Sequence, residues 1–196
     1  MLTDGYHNIP PGKVAMVVTN LEMTTPQYRG APCPDGVTLK PMTREVAPYL
    51  DLFRRVGGPW LWYGRTIMPE QELHDILVDP DTGLYTLEKD GRPEGLLELD
   101  FSVKGACELD YFGLTPALIG TGAGAYLMDR AIEFAFARDI TRFHLHTCTI
   151  DSQQALGFYK RSGFTPTGLR IEIADDPRIA HGYPRDLAPH VPIIDP

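Results

Sequence analysis

Leu114-Thr-Pro-Ala-Leu-Ile-Gly-Thr-Gly-Ala-Gly-Ala-Tyr-Leu-Met128 is the stretch on which the fold of this chain turns. It leaves an extended segment, enters a short loop with glycine at positions Gly120, Gly122 and Gly124, and continues as an apolar helix. A loop without bulky side chains lets several backbone N–H groups converge at the positive end of the following helix. The loop is therefore a seat for phosphate between a strand and a helix, and an α/β fold is expected.

The sequence around the loop supplies the other elements. Upstream, Ala106–Leu114 reads as a strand, preceded by a hairpin of Leu84–Lys89 and Gly95–Phe101 turning at Asp90-Gly91. Before it, Arg44–Arg55 carries Val46, Tyr49, Leu50 and Phe53 at helical spacing and ends at Gly57-Gly58-Pro59. Pro69–Val78 is a further helix opening on proline, Val37–Lys40 is a short strand, and Trp60–Tyr63 is too short to classify. Downstream, the glycine-led helix reaches about Arg138. A strand at Arg142–Thr149, a helix at Asp151–Ser162 closed by Gly163 and a last strand at Leu169–Ile173 follow. Residues 1–36 form a Pro- and Gly-rich N-terminal extension with one strand at Val14–Met23, 37–174 the main domain, and 175–196 a Pro-rich tail expected to be extended.

Composition narrows the function. At 196 residues and 43% hydrophobic content the chain suits one compact domain with extensions. A net charge of −8 argues against general nucleic-acid binding, which needs basic patches, and suits a cationic substrate. No run approaches the roughly 18 apolar residues of a membrane span. The start, Met1-Leu-Thr-Asp-Gly-Tyr6, lacks a basic-then-apolar leader, so no membrane association is expected. Cys33, Cys107 and Cys148 are far apart without CxxC spacing and read as reduced thiols in a cytoplasmic protein.

The glycine loop by itself fits several roles, a plain tight connection among them. Gly120-x-Gly122-x-x-Ala125 loosely matches a dinucleotide fingerprint. That fingerprint follows its strand directly and opens a βαβ unit, whereas Thr115–Leu118 intervenes here and the preceding strands form hairpins. A nucleotide-kinase P-loop fails because no Lys-Ser/Thr follows Gly124. The pyrophosphate of coenzyme A is the third role, and the later helix adds to it. There Asp151 reads as an N-cap with Gln154 at the capping-box position, and Ala155, Phe158, Tyr159 and Ser162 lie along one face. Gly157 in the helix interior costs roughly 1 kcal/mol relative to Ala, which suggests that a bulky neighbour or ligand needs the space.

Together the two stretches resemble the GNAT superfamily of acyl-CoA-dependent N-acetyltransferases. The family's central motif, Gln/Arg-x-x-Gly-x-Gly/Ala, falls on Ile119-Gly-Thr-Gly122-Ala-Gly124, after the apolar-x-Pro pattern of Leu114-Thr-Pro116. Its second motif, Asn-x-x-Ala-x-x-x-Tyr-x-x-x-Gly-Phe, falls on Ser152-x-x-Ala155-x-x-x-Tyr159-x-x-x-Gly163-Phe164. The resemblance implies a mixed, mostly antiparallel twisted sheet with helices on both faces, and acetyl-CoA as cosubstrate. It implies cofactor contacts from Leu114, Ile119, Gly120, Thr121, Gly122, Ala123, Gly124, Ala125, Ser152, Ala155, Phe158 and Tyr159. The Leu114 backbone would accept the pantetheine amides like an added strand, in a notch where two strands splay. Ile119 replaces the family's Gln or Arg and Ser152 its Asn. Pyrophosphate would thus rest on backbone N–H groups and a helix dipole contributing about 0.3–1 kcal/mol.

The chemistry can be argued beside this resemblance. A lysine-like amine has a pKa of about 10.4, so deprotonation near pH 7 costs about 4–5 kcal/mol, and a nearby carboxylate, direct or through water, lowers that cost. Thioester aminolysis expels a thiolate that a neutral phenol can protonate. Tyr159 stands where the family places that acid. Glu108, on the strand entering the loop and at the distance before Ile119 where some members carry a catalytic Glu, is the candidate base. Glu98-Leu-Asp100 echoes Glu108-Leu-Asp110. Symmetric pairing through Lys104 would oppose these like charges, whereas a two-residue turn would offset them. His144, His146 and Cys148 share a strand face but are too spread, and lack a fourth ligand, to suggest a metal. By resemblance, Trp60, Trp62 and Tyr63 line the acceptor side. The expected function is acetyl transfer from acetyl-CoA to a primary amine of a small molecule or peptide by direct attack. A noncatalytic acyl-CoA-binding sensor or scaffold and an NAD-type oxidoreductase are the alternatives. The N-terminal extension either packs on the domain or covers a partner subunit, the latter making the chain a homodimer.

Overall fold

Strand segments with alternating burial assemble here into one sheet, and the helices pack their apolar stripes on its two faces. The computed structural model describes residues 3–196. In chain order the elements are β1 (Lys13–Met23), β2 (Val37–Pro41), α1 (Val46–Gly57), α2 (Gly64–Ile67), α3 (Glu70–Val78), β3 (Thr82–Lys89), β4 (Arg92–Asp100) and β5 (Ala106–Leu114). Then follow α4 (Ala123–Phe136), β6 (Arg142–Cys148), α5 (Ala155–Arg161), β7 (Thr165–Asp175) and α6 (Pro177–Ala180). The strands lie in the order β2-β3-β4-β5-β6-β1-β7, antiparallel at every neighbour except β5–β6. The mostly antiparallel mixed sheet with helices on both faces is the fold observed.

Two cores share the sheet. On one face α4 sets Leu127, Met128, Ala131, Ile132 and Ala135 against Leu97, Leu99, Leu109, Phe143 and Leu145. On the other, Tyr49, Leu52, Phe53 and Val56 of α1 and Leu73 and Leu77 of α3 close over Leu84 and Leu96. Adjacent Leu96 and Leu97 thus enter opposite cores, which is why β4 reads as a nearly continuous apolar run. The expected hairpin turn is present, with Asp90 (φ 52°) and Gly91 (φ 78°) both left-handed.

Three expectations change. The strand of the N-terminal extension lies inside the sheet, paired to β6 on one side and β7 on the other. The tail is not simply extended: α6 forms, Ala188 is fully buried beside Val14, Met16 and Val18, and Gly12 N donates to Ile194 O at 2.7 Å. The helix expected from Asp151 begins only at Ala155. Asp151 is no cap because stronger donors claim it. Its carboxylate accepts from Thr147 Oγ1 (2.7 Å), the Cys148 amide (2.8 Å) and Trp62 Nε1 (3.1 Å). At Gly157 a Cβ would meet Arg161 Nη1 at 3.1 Å, a tight approach that the absence of a side chain relieves.

Candidate active site

The site is a gap in the sheet. β5 and β6 pair only from Ala106↔Arg142 to Glu108↔His144 and then diverge. A bulge contributes: Leu99 pairs with Leu109 and Glu98 with Tyr111, leaving Asp110 as the extra residue that bends β5. Between the strands opens a cavity of about 570 Å³. Leu109–Leu114 form one wall; His146, Cys148 and Ile150–Ser152 form the other. Trp60–Gly64 and the α5 residues Ala155, Phe158 and Tyr159 complete it.

The glycine loop lies at one end of this gap. Gly120 (φ 81°) and Gly122 (φ 89°) are left-handed, and a Cβ at either would meet nothing within 4 Å. They serve backbone conformation, not packing. Gly122 is the N-cap of α4 and brings no capping side chain, so first-turn amides lack intrahelical acceptors. One of them, Ala123 N, reaches Thr121 Oγ1 at 3.3 Å. A Cβ at Gly124 would rest in ordinary contact with Leu114 Cδ1 (3.6 Å) and Phe158 Cε2 (3.8 Å), so this position packs α4 against β5 and α5. The loop entrance is fixed where the Thr115 hydroxyl donates to buried Glu94, which also pairs with Arg55 Nη1 at 3.0 Å.

Of the expected contact residues, Leu114, Ile119, Gly124, Ser152, Ala155, Phe158 and Tyr159 line the cavity. Gly120, Thr121 and Gly122 form the exposed bend of the loop, Ala123 is buried and Ala125 half-buried. Tyr159 packs edge-on against Phe112, Phe158 and Phe164, with ring centroids 5.6–6.3 Å away. Burial, then the nearby Asp151 carboxylate, raises its pKa, so its phenol stays protonated at neutral pH.

Glu108 occupies a different place. It lines a smaller polar cavity of about 350 Å³ with Asn20, Arg142, His144, His146, Thr167 and Arg170. Glu108 Oε1 lies 3.2 Å from His146 Nδ1. That hydrogen bond holds the carboxyl below its ordinary range and raises the imidazole above its own. His146 lines both cavities.

Two important groups escaped the sequence. Arg65, on α2, places Nη2 2.5 Å from both Glu98 Oε1 and Asp110 Oδ2, and its guanidinium lies 5.1 Å from the Tyr111 ring centroid. Tyr49 Oη donates to Glu98 Oε2 at 2.6 Å. Symmetric opposition holds at Asp100↔Glu108, while the bulge moves Asp110 out of register with Glu98. Burial and then Glu98 push Asp110 up to about 7, against the pull of Arg65. The echoed Glu-Leu-Asp triplets signalled this acid cluster, but no local pattern signalled the arginine. Among the described residues no group of three or more His, Cys, Asp or Glu side chains could hold a metal ion.

A cleft between parting strands, entered by a glycine loop, accords with the family comparison. The sequence model of the acetyltransferase (GNAT) family matches residues 49–164, more than half of the chain. The chain belongs to the GNAT acetyltransferase family. No curated protein matches the sequence significantly. Several solved structures are similar in fold. A GCN5-related N-acetyltransferase from Sphaerobacter thermophilus is 16% identical with TM-score 0.59, the match covering 93% of this chain and 54% of that one. A conserved protein of unknown function from Staphylococcus epidermidis is 14% identical with TM-score 0.61, covering 84% of this chain and 64% of the other. This GNAT chain therefore spans less than two thirds of the length of both. A GNAT acetyltransferase from Elizabethkingia anophelis, with acetyl-CoA bound, is 18% identical with TM-score 0.54, covering 69% and 80%. Among the described residues no helix is long and apolar enough to cross a membrane.

Proposed function

We propose that this GNAT protein transfers the acetyl group of acetyl-CoA to a primary amine by direct attack. The observation that carries this reading is the gap between β5 and β6, with a glycine loop at one end and protonated Tyr159 in its wall. Pantetheine amides pair with the free backbone edge of Leu109–Leu114 as an added strand would, and pyrophosphate sits on the amides of Gly120–Ala125 at the α4 N-terminus. The acceptor occupies the side lined by Trp60, Trp62, Tyr63, Asp110 and Glu172. Aromatic walls with two carboxylates favour an amine carried on an apolar body. The amine nitrogen attacks the thioester carbonyl carbon, the C–S bond breaks, and Tyr159 gives its proton to the departing sulfur.

Calorimetric titration with acetyl-CoA, beside free CoA and NADH, tests the cofactor assignment. Saturable one-to-one binding of acetyl-CoA and not NADH is expected. Tyr159→Phe should then keep that affinity and lose about 10²–10⁴-fold in kcat with a basic amine. Full turnover in that variant would sink the acid assignment. The second reading, a noncatalytic acyl-CoA sensor, draws on Ile119, exposed at the cavity rim where the family carries a polar side chain. It predicts binding without thiol release.

A further inference from the structure

We propose that His146 is the base that takes a proton from the attacking amine and that Glu108 positions it, an assignment that rests on the acetyl-transfer reading. The geometry comes first. Strand pairing ends at Glu108↔His144, so His146 is the next residue on that face of β6, just past the point where the gap opens. Its Nδ1 faces Glu108 Oε1 at 3.2 Å, and within the described residues its Nε2 makes no hydrogen bond. A carboxylate that accepts from Nδ1–H fixes the tautomer whose Nε2 lone pair is free. His146 also bridges the reaction cavity and the polar one behind it, and its side chain is nearly half exposed. A proton taken on one side therefore has an exit on the other.

The charged surroundings agree. His146 faces Glu108 and Asp110 from β5, Arg170 from β7, and its own-strand neighbours His144 and Arg142, with Glu22 of β1 paired to Arg142. The hydrogen bond to Glu108 raises the imidazole pKa, burial opposes it, and Asp110 adds to the rise against Arg170. A base whose pKa lies near the working pH is the efficient kind. Asp110 suits this role less well, since Arg65 already binds its carboxylate.

The acceptor enters as an ammonium ion and releases one proton to water. Its nitrogen lone pair forms the C–N bond at the carbonyl carbon, a second N–H proton passes to His146 Nε2, and the C–S bond breaks as sulfur takes the Tyr159 proton. His146 returns its proton to solvent and Tyr159 regains one. The balance is amide, CoA thiol and one released proton.

Thiol release from acetyl-CoA is measured from about pH 5 to pH 9 with phenethylamine, spermidine and a lysine-containing tripeptide, alongside acetyl-CoA affinity and an NMR titration of the imidazoles. His146→Gln should bind acetyl-CoA as wild type does, lose about 10²–10⁴-fold in kcat/KM and lose the acid limb of the pH profile. Glu108→Gln should keep the limb but move it to lower pH, with the His146 imidazole titration moving in step. A His146→Gln protein with wild-type rate and limb would overturn the assignment while leaving acetyl transfer standing. So would a limb unmoved in Glu108→Gln, or one abolished by Asp110→Asn and retained without His146. A wild-type protein that binds acetyl-CoA and releases no thiol with any of these amines would overturn acetyl transfer itself.

Discussion

Arg65 stands between Glu98 and Asp110, and that single side chain lets two acids share the site interior. Its guanidinium neutralises one charge; the second carboxylate answers burial by binding a proton more readily. The fold raises Asp110 from its ordinary 3.8 to about 7, so between those pH values the folded chain holds a proton that the unfolded chain has released. The stability tied to this proton is complete below about pH 4 and is lost as pH rises through about 7. Asp110→Asn keeps an oxygen for Arg65 and removes the charge. Between about pH 5 and pH 8 the wild-type Tm should therefore fall relative to the variant's, most steeply at about pH 5–6 and levelling off above about pH 7. Parallel melting curves across that range would refute the raised pKa. Arg65→Met, by contrast, leaves two buried carboxylates without their cation and should cost about 3–5 kcal/mol in urea unfolding.

Among the elements, α4 does more than present its N-terminus. Asp129, buried on that helix, accepts the backbone amides of Arg29 (2.9 Å) and Ala31 (2.8 Å) and so clamps the segment joining β1 to β2. Hydrogen bonds to a charged acceptor contribute about 1.5–3 kcal/mol each, and the two share one carboxylate. Asp129→Ala should lower stability by about 2–4 kcal/mol and speed hydrogen exchange at Arg29 and Ala31 before it affects the α4 interior. Unchanged exchange at those two amides would show that the clamp holds nothing. Such contacts between distant residues mark the limit of what periodicity reveals. Ala106–Leu114 was legible to the residue, because alternation and the Lys104-Gly105 turn are local signals. Asp151 was misread for the opposite reason: the capping rule is local, while Trp62 Nε1, which helps claim that carboxylate, arrives from the segment between α1 and α2. Arg65 was invisible because a four-residue helix carries no period from which its inward face could be inferred.

At the scale of the whole molecule, the first and last segments close on each other. Nothing in the Lys13–Met23 sequence says that its partners are β6 and β7, since pairing order is fixed only when the entire sheet forms. The tail then covers Val14, Met16 and Val18 and supplies Pro177 to the cavity between β5 and β6. Arg178 is the pin. Buried to 4% exposure, it pairs with Asp176 at 2.7 Å and donates Nη1 to the carbonyls of Leu187 (3.0 Å), Ala188 (3.3 Å) and Val191 (3.0 Å). Asp176 is itself held below its ordinary pKa, first by its hydrogen bond to Arg178. Stability from that carboxylate is therefore present above about pH 4 and is lost as pH falls through the depressed value. Arg178→Met strands the buried carboxylate and frees three carbonyls, so it should cost about 3–5 kcal/mol and expose residues 181–196 to proteolysis. Trp60, on the proposed acceptor side, packs edge-on against His190 of the tail with ring centroids 5.8 Å apart. Acetyl-CoA affinity should therefore persist while KM for the amine rises. If both fall together at a temperature where the variant remains folded, the tail supports the whole cleft and not its acceptor side alone.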